Sequence, residues 1–316
     1  MLLWSDHQIT TERAGLMTRS FVAFLGLGAL GAPMAQRLLA AGFPLTVHNR
    51  SRKAEEALAA AGAGRAATAA AAAASAELIA LCLSDDTAVE QVLLAPGGVA
   101  EGAAPGSLVI DFSTIAAATS RRLAARLGEL GVGYLDAPVT GGTEGARAGT
   151  LSLLVGGPSD QLERARPLLE AVGSRISHFG PVGSGQQVKA VNQILVAGSY
   201  AALAEGLALA RALGLPLQQV CGALEGGAAG SWALQHRAGR MIENSYPLGF
   251  RLALHRKDLA IALDTAAAAG VALPISASVA GIEDALIAAG HGDEDVSALA
   301  RWFSPDQTPG AGSLRE

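Results

Sequence analysis

The first half of the chain alternates short apolar runs with alanine-rich stretches of helical character. The apolar runs lie at 21–25, 45–48, 78–83, 108–112, 134–137 and 151–155, and a further candidate lies at 176–179. Short runs of β-branched and bulky aliphatic residues are typical of buried strands. Their regular alternation with helices predicts a mainly parallel sheet covered by helices on both faces.

The second half of the chain loses the strand pattern after Gly183. Residues 186–213 predict one long helix, in which apolar residues recur on one face. The residues of this face are Val188, Val191, Leu195 and Ala202. Further helices are predicted at 216–225, 231–243, 252–269, 275–289 and 295–303. Ser231 is expected to be an N-cap and Gly214 a C′ glycine.

A cluster of helix-breaking and strand-breaking residues, G-P-V-G at 180–183, separates the two patterns. We therefore expect an α/β domain over residues 20–182 and an all-helical domain over 183–303, joined through the long helix. Residues 1–19 are expected to be a disordered extension and residues 304–316 a frayed tail. A cleft between the domains, at the carboxyl ends of the strands, is the expected ligand site.

A glycine-rich turn lies directly between the first predicted strand and the first predicted helix. Its sequence is G-L-G-A-L-G at 26–31. In such a turn the first glycine permits the bend, the second lets the backbone approach a pyrophosphate, and the third lets helix and strand pack closely. The helix then offers free N–H groups to the phosphates. We expect a Rossmann unit rather than an ordinary turn, with cofactor-binding residues Gly26, Leu27, Gly28, Ala29, Leu30 and Gly31.

The end of the second predicted strand indicates which dinucleotide binds. An NAD-binding unit usually has an acidic residue here, which hydrogen-bonds the ribose 2′-hydroxyl. This chain has Asn49, Arg50 and Ser51 instead. An arginine would pair with a 2′-phosphate, so the sequence favours NADP over NAD. The alternative is a surface arginine in a turn, with Ser51 capping the next helix.

Composition narrows the class of protein. Half of the residues are hydrophobic, 16% are charged and the net charge is −5. This balance is typical of a globular protein and predicts no nucleic-acid or anionic membrane partner. No apolar run is expected to reach membrane-spanning length without interruption. The two cysteines, Cys82 and Cys221, are too few for a disulfide framework and favour a reducing, cytoplasmic compartment.

The six histidines show neither metal-ligand spacing nor the partners of a catalytic triad. No metal site is therefore predicted. His255 is interpreted as a structural histidine, with a position near the cleft as the alternative.

Five separated motifs carry a resemblance to a known family. They are G-L-G-A-L-G-A-P-M-A at 26–35, D-A-P-V-T-G-G at 136–142, A-R-A-G-T-L at 146–151, G-S-G-Q-Q-V-K-A-V-N at 183–192 and K-D-L at 257–259. With them the chain resembles the β-hydroxyacid dehydrogenase family, which includes 3-hydroxyisobutyrate dehydrogenase, tartronate semialdehyde reductase and the glyoxylate/succinic semialdehyde reductases. Leu30 stands where the family commonly has methionine, and Thr140 replaces the usual serine but keeps its hydroxyl.

The resemblance implies roles for particular residues. Lys189 is implied as the catalytic acid and base, and Asn192 lies on the same helix face. The implied substrate-binding residues are Ser113, Thr140, Gly141, Gly142 and Asn192, and the further cofactor-binding residues are Leu83, Ser84, Thr114 and Lys257. The alternative for Lys189 is a solvated helix lysine, and the alternative for Lys257 is an ion pair with Asp258.

The sequence therefore predicts an NADP-dependent oxidoreductase, with NAD as the second candidate cofactor. It would transfer hydride between nicotinamide and a small β-hydroxyacid or semialdehyde acid. The alternatives are an imine reductase-like enzyme, whose class generally lacks the catalytic lysine, and a non-catalytic NADP-binding sensor or scaffold. The apolar helical half predicts a homodimer or homotetramer, because such surface is usually buried.

Overall fold

The structure, a computed structural model, describes residues 19–303. The expected tail at 304–316 and the expected extension, apart from Arg19, lie outside the described residues. Within the described range the chain forms a sheet-bearing part followed by a helical part.

The sheet-bearing part is built on six parallel strands. They are β1 (Val22–Leu25), β2 (Leu45–His48), β3 (Gly64–Arg65), β4 (Leu78–Leu81), β5 (Leu108–Asp111) and β6 (Gly133–Asp136), and their spatial order is β3-β2-β1-β4-β5-β6. Every neighbouring pair is parallel. The order reverses beside β1, so the sheet is doubly wound and has a Rossmann topology.

Helices cover both faces of this sheet. They are α1 (Gly31–Ala40), α2 (Glu56–Ala60), α3 (Ala69–Ala73), α4 (Asp86–Leu94), α5 (Val99–Gly102), α6 (Ala117–Gly128), α7 (Gly142–Ala148) and α8 (Ser159–Val172), together with a short 3₁₀ helix at Arg52–Glu55. Successive side chains of β1 point to opposite faces of the sheet, and both faces are buried. Val22 and Phe24 pack with Met34 in one core, and Ala23 and Leu25 belong to the other. Burial of a side chain such as Phe24 contributes about 1.5–3 kcal/mol.

A second sheet contains β7 (Val139–Thr140), β8 (Leu151–Val155) and β9 (Gly173–His178), in that order. Strand β8 pairs antiparallel with β7 and parallel with β9. The expectation that the runs at 151–155 and 176–179 extend the main sheet is therefore wrong. Buried and half-buried residues alternate along β8, so one face of this strand packs on the core. A strand pattern predicts a strand but not which neighbour it pairs with.

The helical part begins with one long helix. Its elements are α9 (Ser184–Ala212), α10 (Leu217–Leu224), α11 (Trp232–Glu243), α12 (Leu252–Ala268), α13 (Pro274–Ala288) and a 3₁₀ helix at Val296–Phe303. The Ser231 hydroxyl accepts a hydrogen bond of 3.1 Å from the N–H of Leu234, which confirms the predicted N-cap. Gly214 follows α9 with φ +69°, as expected of a C′ glycine. The last predicted helix is a 3₁₀ helix instead.

Helix α9 packs on α11, α12 and α13 through the side that carries Lys189, Ala197 and Tyr200. The recurring apolar face predicted from the sequence is the other side, where Val191 is 57% and Leu195 66% exposed. By length and composition α9 could cross a membrane, with a mean hydropathy of 1.4. Polar residues such as Lys189, Asn192 and Glu205 interrupt its apolar run, as the sequence predicts, although the helix as a whole is long and apolar enough. A core helix of a globular protein has the same property, so this is weak evidence for a membrane.

Candidate active site

A cavity of about 740 Å³ lies between the sheet-bearing part and the helical part. Turns that follow β1, β4 and β5 line one side of it, and α9, α11 and α12 line the other. The cavity therefore opens at the carboxyl ends of the parallel strands, where the sequence predicts the ligand site. Several of the predicted site residues line it together: Gly28, Ala29, Leu30, Gly31, Leu83, Ser84, Ser113, Thr114, Thr140, Gly141, Gly142, Lys189, Asn192 and Lys257.

In the turn at 26–31, each of the three glycines is required for a different structural reason. Gly26 has φ +95°, and a Cβ there would lie 2.3 Å from the main-chain oxygen of Cys82. A Cβ on Gly31 would lie 2.0 Å from the main-chain oxygen of Gly26, so helix α1 meets the turn closely. A Cβ on Gly28 would meet nothing within 4 Å. The backbone at Gly28 is therefore open to a ligand, and helix α1 has no side-chain cap at its N-terminus. This cradle fits a pyrophosphate.

The turn after β2 is fixed against the glycine turn. The N–H of Leu27 donates to Oδ1 of Asn49 at 2.9 Å, and Nδ2 of Asn49 donates to the main-chain oxygen of Ser51 at 3.0 Å. Arg50 is exposed, and among residues 19–303 no ion pair of Arg50 is found. Ser51 precedes the 3₁₀ helix, but its side chain makes no capping hydrogen bond. The alternative in which Ser51 acts as a side-chain cap is therefore not seen.

A buried glutamate organises this turn, and the sequence analysis missed it. Glu55 is fully buried, and its Oε1 accepts a hydrogen bond of 3.0 Å from the N–H of Asn49. Arg52 and Arg65 each pair with Glu55 at 2.8 Å. These two guanidinium groups are thus both held by the Glu55 carboxylate, whereas Arg50 stays available to an anion.

Hydrogen bonds tie the turns after β4 and β5 to each other. The N–H of Leu83 donates to Oγ of Ser113 at 2.9 Å, and the N–H of Ser113 donates to Oδ1 of Asp111. The Tyr134 hydroxyl donates to Oδ2 of Asp111 at 2.8 Å. Burial raises the pKa of Asp111 to about 6, although hydrogen bonds from Ser113 and Tyr134 oppose the shift. Asp111 thereby holds Ser113, which lines the cavity, in place.

Lys257 forms the ion pair with Asp258 that the sequence analysis gave as an alternative, and it also makes a contact that was not predicted. Its Nζ forms an ion pair of 2.9 Å with Oδ1 of Asp258, and it also donates to the main-chain oxygen of Thr114. Lys257 therefore joins α12 to the strand end at which a nicotinamide would lie.

A buried carboxylate accepts hydrogen bonds from the N-terminus of helix α9. Asp136, the last residue of β6, accepts hydrogen bonds from the N–H groups of Gly183 at 2.7 Å and Gln186 at 2.9 Å. Burial raises the pKa of Asp136, and these hydrogen bonds oppose the shift. The Gln186 amide donates to the main-chain oxygen of Ser113 at 2.8 Å. The first turn of α9, and with it Lys189, is thus positioned by the sheet. The hydrogen bonds of Asp136 and of the Gln186 side chain were not predicted, because each joins residues far apart in the chain.

Lys189 is buried, with 7% of its surface exposed, so the solvated alternative is wrong for this structure. Its Nζ donates a hydrogen bond of 2.9 Å to the main-chain oxygen of Val139. Burial, the largest cause, lowers the pKa of Lys189 to about 8; Asp258 opposes this shift and Lys257 adds to it. An amine with such a pKa exchanges a proton readily near neutral pH.

Polar side chains continue from Lys189 along the cavity wall. The Asn192 amide donates to Oε1 of Gln193 at 2.7 Å, and the Gln193 amide donates to Oδ2 of Asp258 at 2.7 Å. The sequence analysis named Asn192 but missed Gln193, which is buried on the same helix. The chain Asn192–Gln193–Asp258 orients the polar wall beside Lys189.

The turn at 140–142 lines the same cavity as Lys189 and Asn192. Gly141 has φ +127° and Gly142 φ +63°, so both adopt a conformation that favours glycine. Helix α7 begins at Gly142, and the first N–H groups of a helix have no intrahelical partner. Together with the Thr140 hydroxyl, these groups form a nest that suits a carboxylate.

Other residues singled out in the sequence lie outside this chemistry. His255 is fully buried and pairs with Glu283 at 2.5 Å, as expected of a structural histidine. Cys82 lines the cavity, but burial raises its pKa to about 12, so it stays a thiol. Among residues 19–303, no group of three or more metal-ligating side chains is found.

A Rossmann cradle facing a buried lysine across a cleft is the arrangement of an NAD(P)-dependent oxidoreductase. Residues 21–180 match the family described as the NAD-binding domain of 6-phosphogluconate dehydrogenase. Residues 183–303 match the family described as NAD-binding of NADP-dependent 3-hydroxyisobutyrate dehydrogenase. The chain belongs to the β-hydroxyacid dehydrogenase family.

Characterised relatives cover nearly the whole described chain. The chain is 38% identical over 293 residues to an NAD-dependent L-serine dehydrogenase of Pseudomonas aeruginosa, which covers 90% of this chain and 98% of the relative. It is 39% identical over 280 residues to a 2-hydroxy-3-oxopropionate reductase of Escherichia coli, covering 89% and 96%. These relatives confirm that the protein is an oxidoreductase of the hydroxyacid class.

Solved structures agree with the fold. The Mycobacterium tuberculosis 3-hydroxyisobutyrate dehydrogenase with L-serine has a TM-score of 0.80 and 35% identity, covering 89% of this chain and 98% of that chain. An imine reductase from Myxococcus stipitatus has a TM-score of 0.61 at 22% identity, covering 90% and 100%. The likeness to the imine reductase concerns the fold alone.

Proposed function

We propose that the protein is an NADP-preferring oxidoreductase that interconverts a small β-hydroxyacid and the corresponding semialdehyde acid. The observation that carries this proposal is Lys189, a buried amine with a pKa lowered to about 8, in the same cavity as the turn at 140–142. An acid–base group and a carboxylate nest that share one cavity suit the reduction of a carbonyl next to an acid group.

The chain's residues fit a dinucleotide, because the backbone at Gly28 faces open space and α1 has no side-chain cap. The turn at 26–31 would hold the pyrophosphate and Asn49, Arg50 and Ser51 the substituted ribose. Leu83, Ser84, Thr114 and Lys257 would lie at the nicotinamide end. When bound, the nicotinamide supplies a hydride to the substrate carbon or accepts one from it.

Lys189 would move the proton that accompanies the hydride. In reduction the ammonium group donates a proton to the carbonyl oxygen as the carbon gains the hydride. In oxidation the neutral amine accepts the hydroxyl proton. The hydrogen bond to the main-chain oxygen of Val139 holds Nζ in place for either direction.

The turn at 140–142 would orient the substrate. The Thr140 hydroxyl and the N–H groups of Gly141 and Gly142 would hold the carboxylate, and Ser113 and Asn192 would contact the reacting end. Fixing both reactants in a dry cleft lowers the barrier by removing the entropy of encounter.

The substrate is proposed by class from the names of the relatives. Those names are L-serine dehydrogenase, 2-hydroxy-3-oxopropionate reductase and 3-hydroxyisobutyrate dehydrogenase. All three names denote acids with a hydroxyl or carbonyl group on the third carbon. We propose that this chain takes a member of that class, or a short aldehyde acid such as glyoxylate or succinic semialdehyde.

Initial rates of NADPH and NADH oxidation with 2-hydroxy-3-oxopropionate, glyoxylate, succinic semialdehyde and a cyclic imine test the proposal. The reverse reaction is tested with 3-hydroxyisobutyrate and L-serine. We expect turnover with at least one acid, faster with NADPH, and a large loss in Lys189→Ala with NADPH binding retained. Turnover of the imine alone would favour the imine reductase alternative. NADPH binding without turnover would favour the sensor.

The domain boundaries, the cellular location and the oligomeric state are also proposals. We propose domains at 20–182 and 183–303, a cytoplasmic location and a homodimer or homotetramer. The exposed apolar residues of α9, among them Val191, Leu195 and Leu209, support an oligomer because such surface is usually buried. Light scattering of the purified protein tests this: a monomer at micromolar concentration would contradict it, and Leu209→Glu, which lies away from the cavity, should lower the observed mass.

A further inference from the structure

Two carboxylates and two arginines form a closed ring beside the cavity. Oε1 of Glu144 lies 2.8 Å from Nη2 of Arg237 and 3.2 Å from Nη2 of Arg240. Asp295 lies 3.3 Å from Nε of Arg237 and 3.6 Å from Nη1 of Arg240. Each carboxylate therefore contacts both guanidinium groups. Glu144 is on α7 of the sheet-bearing part, whereas the other three residues belong to the helical part.

The charges of the ring balance in a largely buried setting. Asp295 is fully buried and Arg237 is 3% exposed, whereas the side chains of Arg240 and Glu144 are 25% and 41% exposed. A buried charge is costly unless it is paired. Partial burial raises the pKa of Glu144, but hydrogen bonds and Arg237 outweigh this effect, so its pKa lies below the usual value. Glu144 is therefore ionised at neutral pH and contributes half of the ring's negative charge.

Each side of the ring holds a different wall of the cavity. Glu144 lies two residues after Gly142, so it is part of the first turn of the helix that starts at the carboxylate nest. Asp295 accepts hydrogen bonds from the N–H groups of Gly249 at 3.1 Å and Phe250 at 2.9 Å, both of which line the cavity. The Arg237 guanidinium lies over the Trp232 ring, 4.5 Å from its centroid.

We propose that Glu144 is a positioning residue for the substrate carboxylate: its ion pairs with Arg237 and Arg240 hold the turn at 140–142 in place against the wall formed by Trp232 and Phe250. The inference rests on the proposed function, because it assumes that the turn at 140–142 binds a carboxylate. Nothing in the five motifs points to this role. The residues that Glu144 meets lie 93 and 96 positions away.

If Glu144 acted only through its charge, its removal would change the KM of the acid in the direction opposite to that expected of a positioning residue. A carboxylate near the substrate repels another carboxylate, so removing the charge of Glu144 without a positional change would tighten acid binding and lower its KM. If Glu144 positions the turn, removing its charge raises the KM of the acid. The direction of the KM change therefore separates the two roles.

The test is Glu144→Gln, which keeps the shape of the side chain and removes its charge. We expect the KM of the acid substrate to rise by about tenfold or more, because small misplacements of binding groups cost this much. The KM of NADPH should stay within about twofold, since the cradle at 26–31 is untouched. Glu144→Asp should recover part of the loss. The matched control is Glu163→Gln, which breaks an exposed ion pair of 2.6 Å with Arg166 on α8.

A second variant keeps the test decisive if Glu144→Gln folds poorly. Arg240→Lys keeps the positive charge but loses the guanidinium geometry that pairs with Glu144 and Asp295. It should therefore raise the same KM, whereas a purely electrostatic effect would leave that KM unchanged. The double variant should raise the KM by less than the product of the two single effects, because both substitutions disturb the same ring of ion pairs. An unchanged or lowered KM of the acid, or an equal rise in the KM of NADPH, overturns the role of Glu144 but leaves the proposed function standing. Absence of acid turnover by the unmodified protein overturns the proposed function and the inference with it.

Discussion

The Nζ atom of Lys189 lies 2.9 Å from the main-chain oxygen of Val139, the residue directly before Thr140. This hydrogen bond joins the candidate acid–base group on α9 to the candidate carboxylate nest of the sheet-bearing part. The two ends of a bound hydroxyacid would thus be held by groups that are themselves connected. This contact, together with the hydrogen bonds of Asp136 to the start of α9, fixes the spacing between Lys189 and the turn at 140–142.

The activity should depend on pH in opposite directions for the two reactions. Because the pKa of Lys189 is lowered to about 8, the ammonium form needed for reduction disappears as the pH rises through about 8. The neutral amine needed for oxidation appears over the same range. We expect kcat for reduction to fall and kcat for oxidation to rise between pH 7 and pH 9, roughly one unit on either side of this pKa.

Lys189→Ala should lower kcat by about 10²–10⁴-fold and abolish this pH dependence. NADPH binding, followed by fluorescence, serves as the control and should be retained. A variant that keeps near-native turnover, or keeps the pH profile, would show that another group moves the proton.

Arg50 should decide the cofactor preference. Arg50→Asp removes the partner of a 2′-phosphate and places a carboxylate where it can accept a hydrogen bond from a ribose hydroxyl. A lost charge-assisted contact costs about 1.5–3 kcal/mol, so kcat/KM with NADPH should fall by roughly 10- to 100-fold while that with NADH holds or rises. Arg126→Asp on the exposed face of α6 is the control. An intact NADPH preference in Arg50→Asp would refute the assignment.

Two glycine variants should separate folding from cofactor binding. Gly26→Ala forces a side chain into φ +95° and toward the main-chain oxygen of Cys82, so we expect a loss of about 1–3 kcal/mol in the free energy of unfolding. Gly28→Ala meets no protein atom within 4 Å. It should leave the stability within about 1 kcal/mol but raise the KM of NADPH, because the methyl group occupies the open space. Chemical denaturation and steady-state kinetics measure the two effects. Equal stability losses in both variants would contradict this division.

Asp136 should couple stability to activity. Asp136→Asn weakens the hydrogen bonds from Gly183 and Gln186 that start α9, at a cost of about 1–3 kcal/mol. Since α9 carries Lys189, kcat should fall as well. Thr68→Ala is the matched control, because Thr68 caps α3 with a hydrogen bond of 3.0 Å from Ala71, away from the cavity. It should lower stability with kcat unchanged. If Asp136→Asn loses stability but keeps kcat, the cap does not position Lys189.

The local elements of the fold follow closely from the sequence. The strand predicted at 45–48 is observed at Leu45–His48, and the helix predicted at 186–213 is observed at Ser184–Ala212. Strands β3 and β7 were not predicted. Each has two residues and exists only because a neighbouring strand supplies its hydrogen bonds, so no local pattern marks it.

The candidate site was predicted unevenly. Motif residues such as Lys189, Thr140 and Gly28 were named from the sequence and meet at one cavity. The contacts that Asp136, Gln193 and Glu144 make around the cavity were not predicted. Their partners lie far away in the chain, and hydrogen bonds of this kind leave no periodic signal.

The sequence by itself determined the alternation of strands and helices, the glycine turn, and the residue types available for binding and proton transfer. These depend on local backbone preferences and side-chain chemistry. Only the tertiary structure decided that the 151–155 strand leaves the main sheet, that the apolar face of α9 lies outside, and that Lys189 is buried with a pKa near 8. Burial and long-range pairing depend on how distant segments pack, and a linear pattern does not specify that packing.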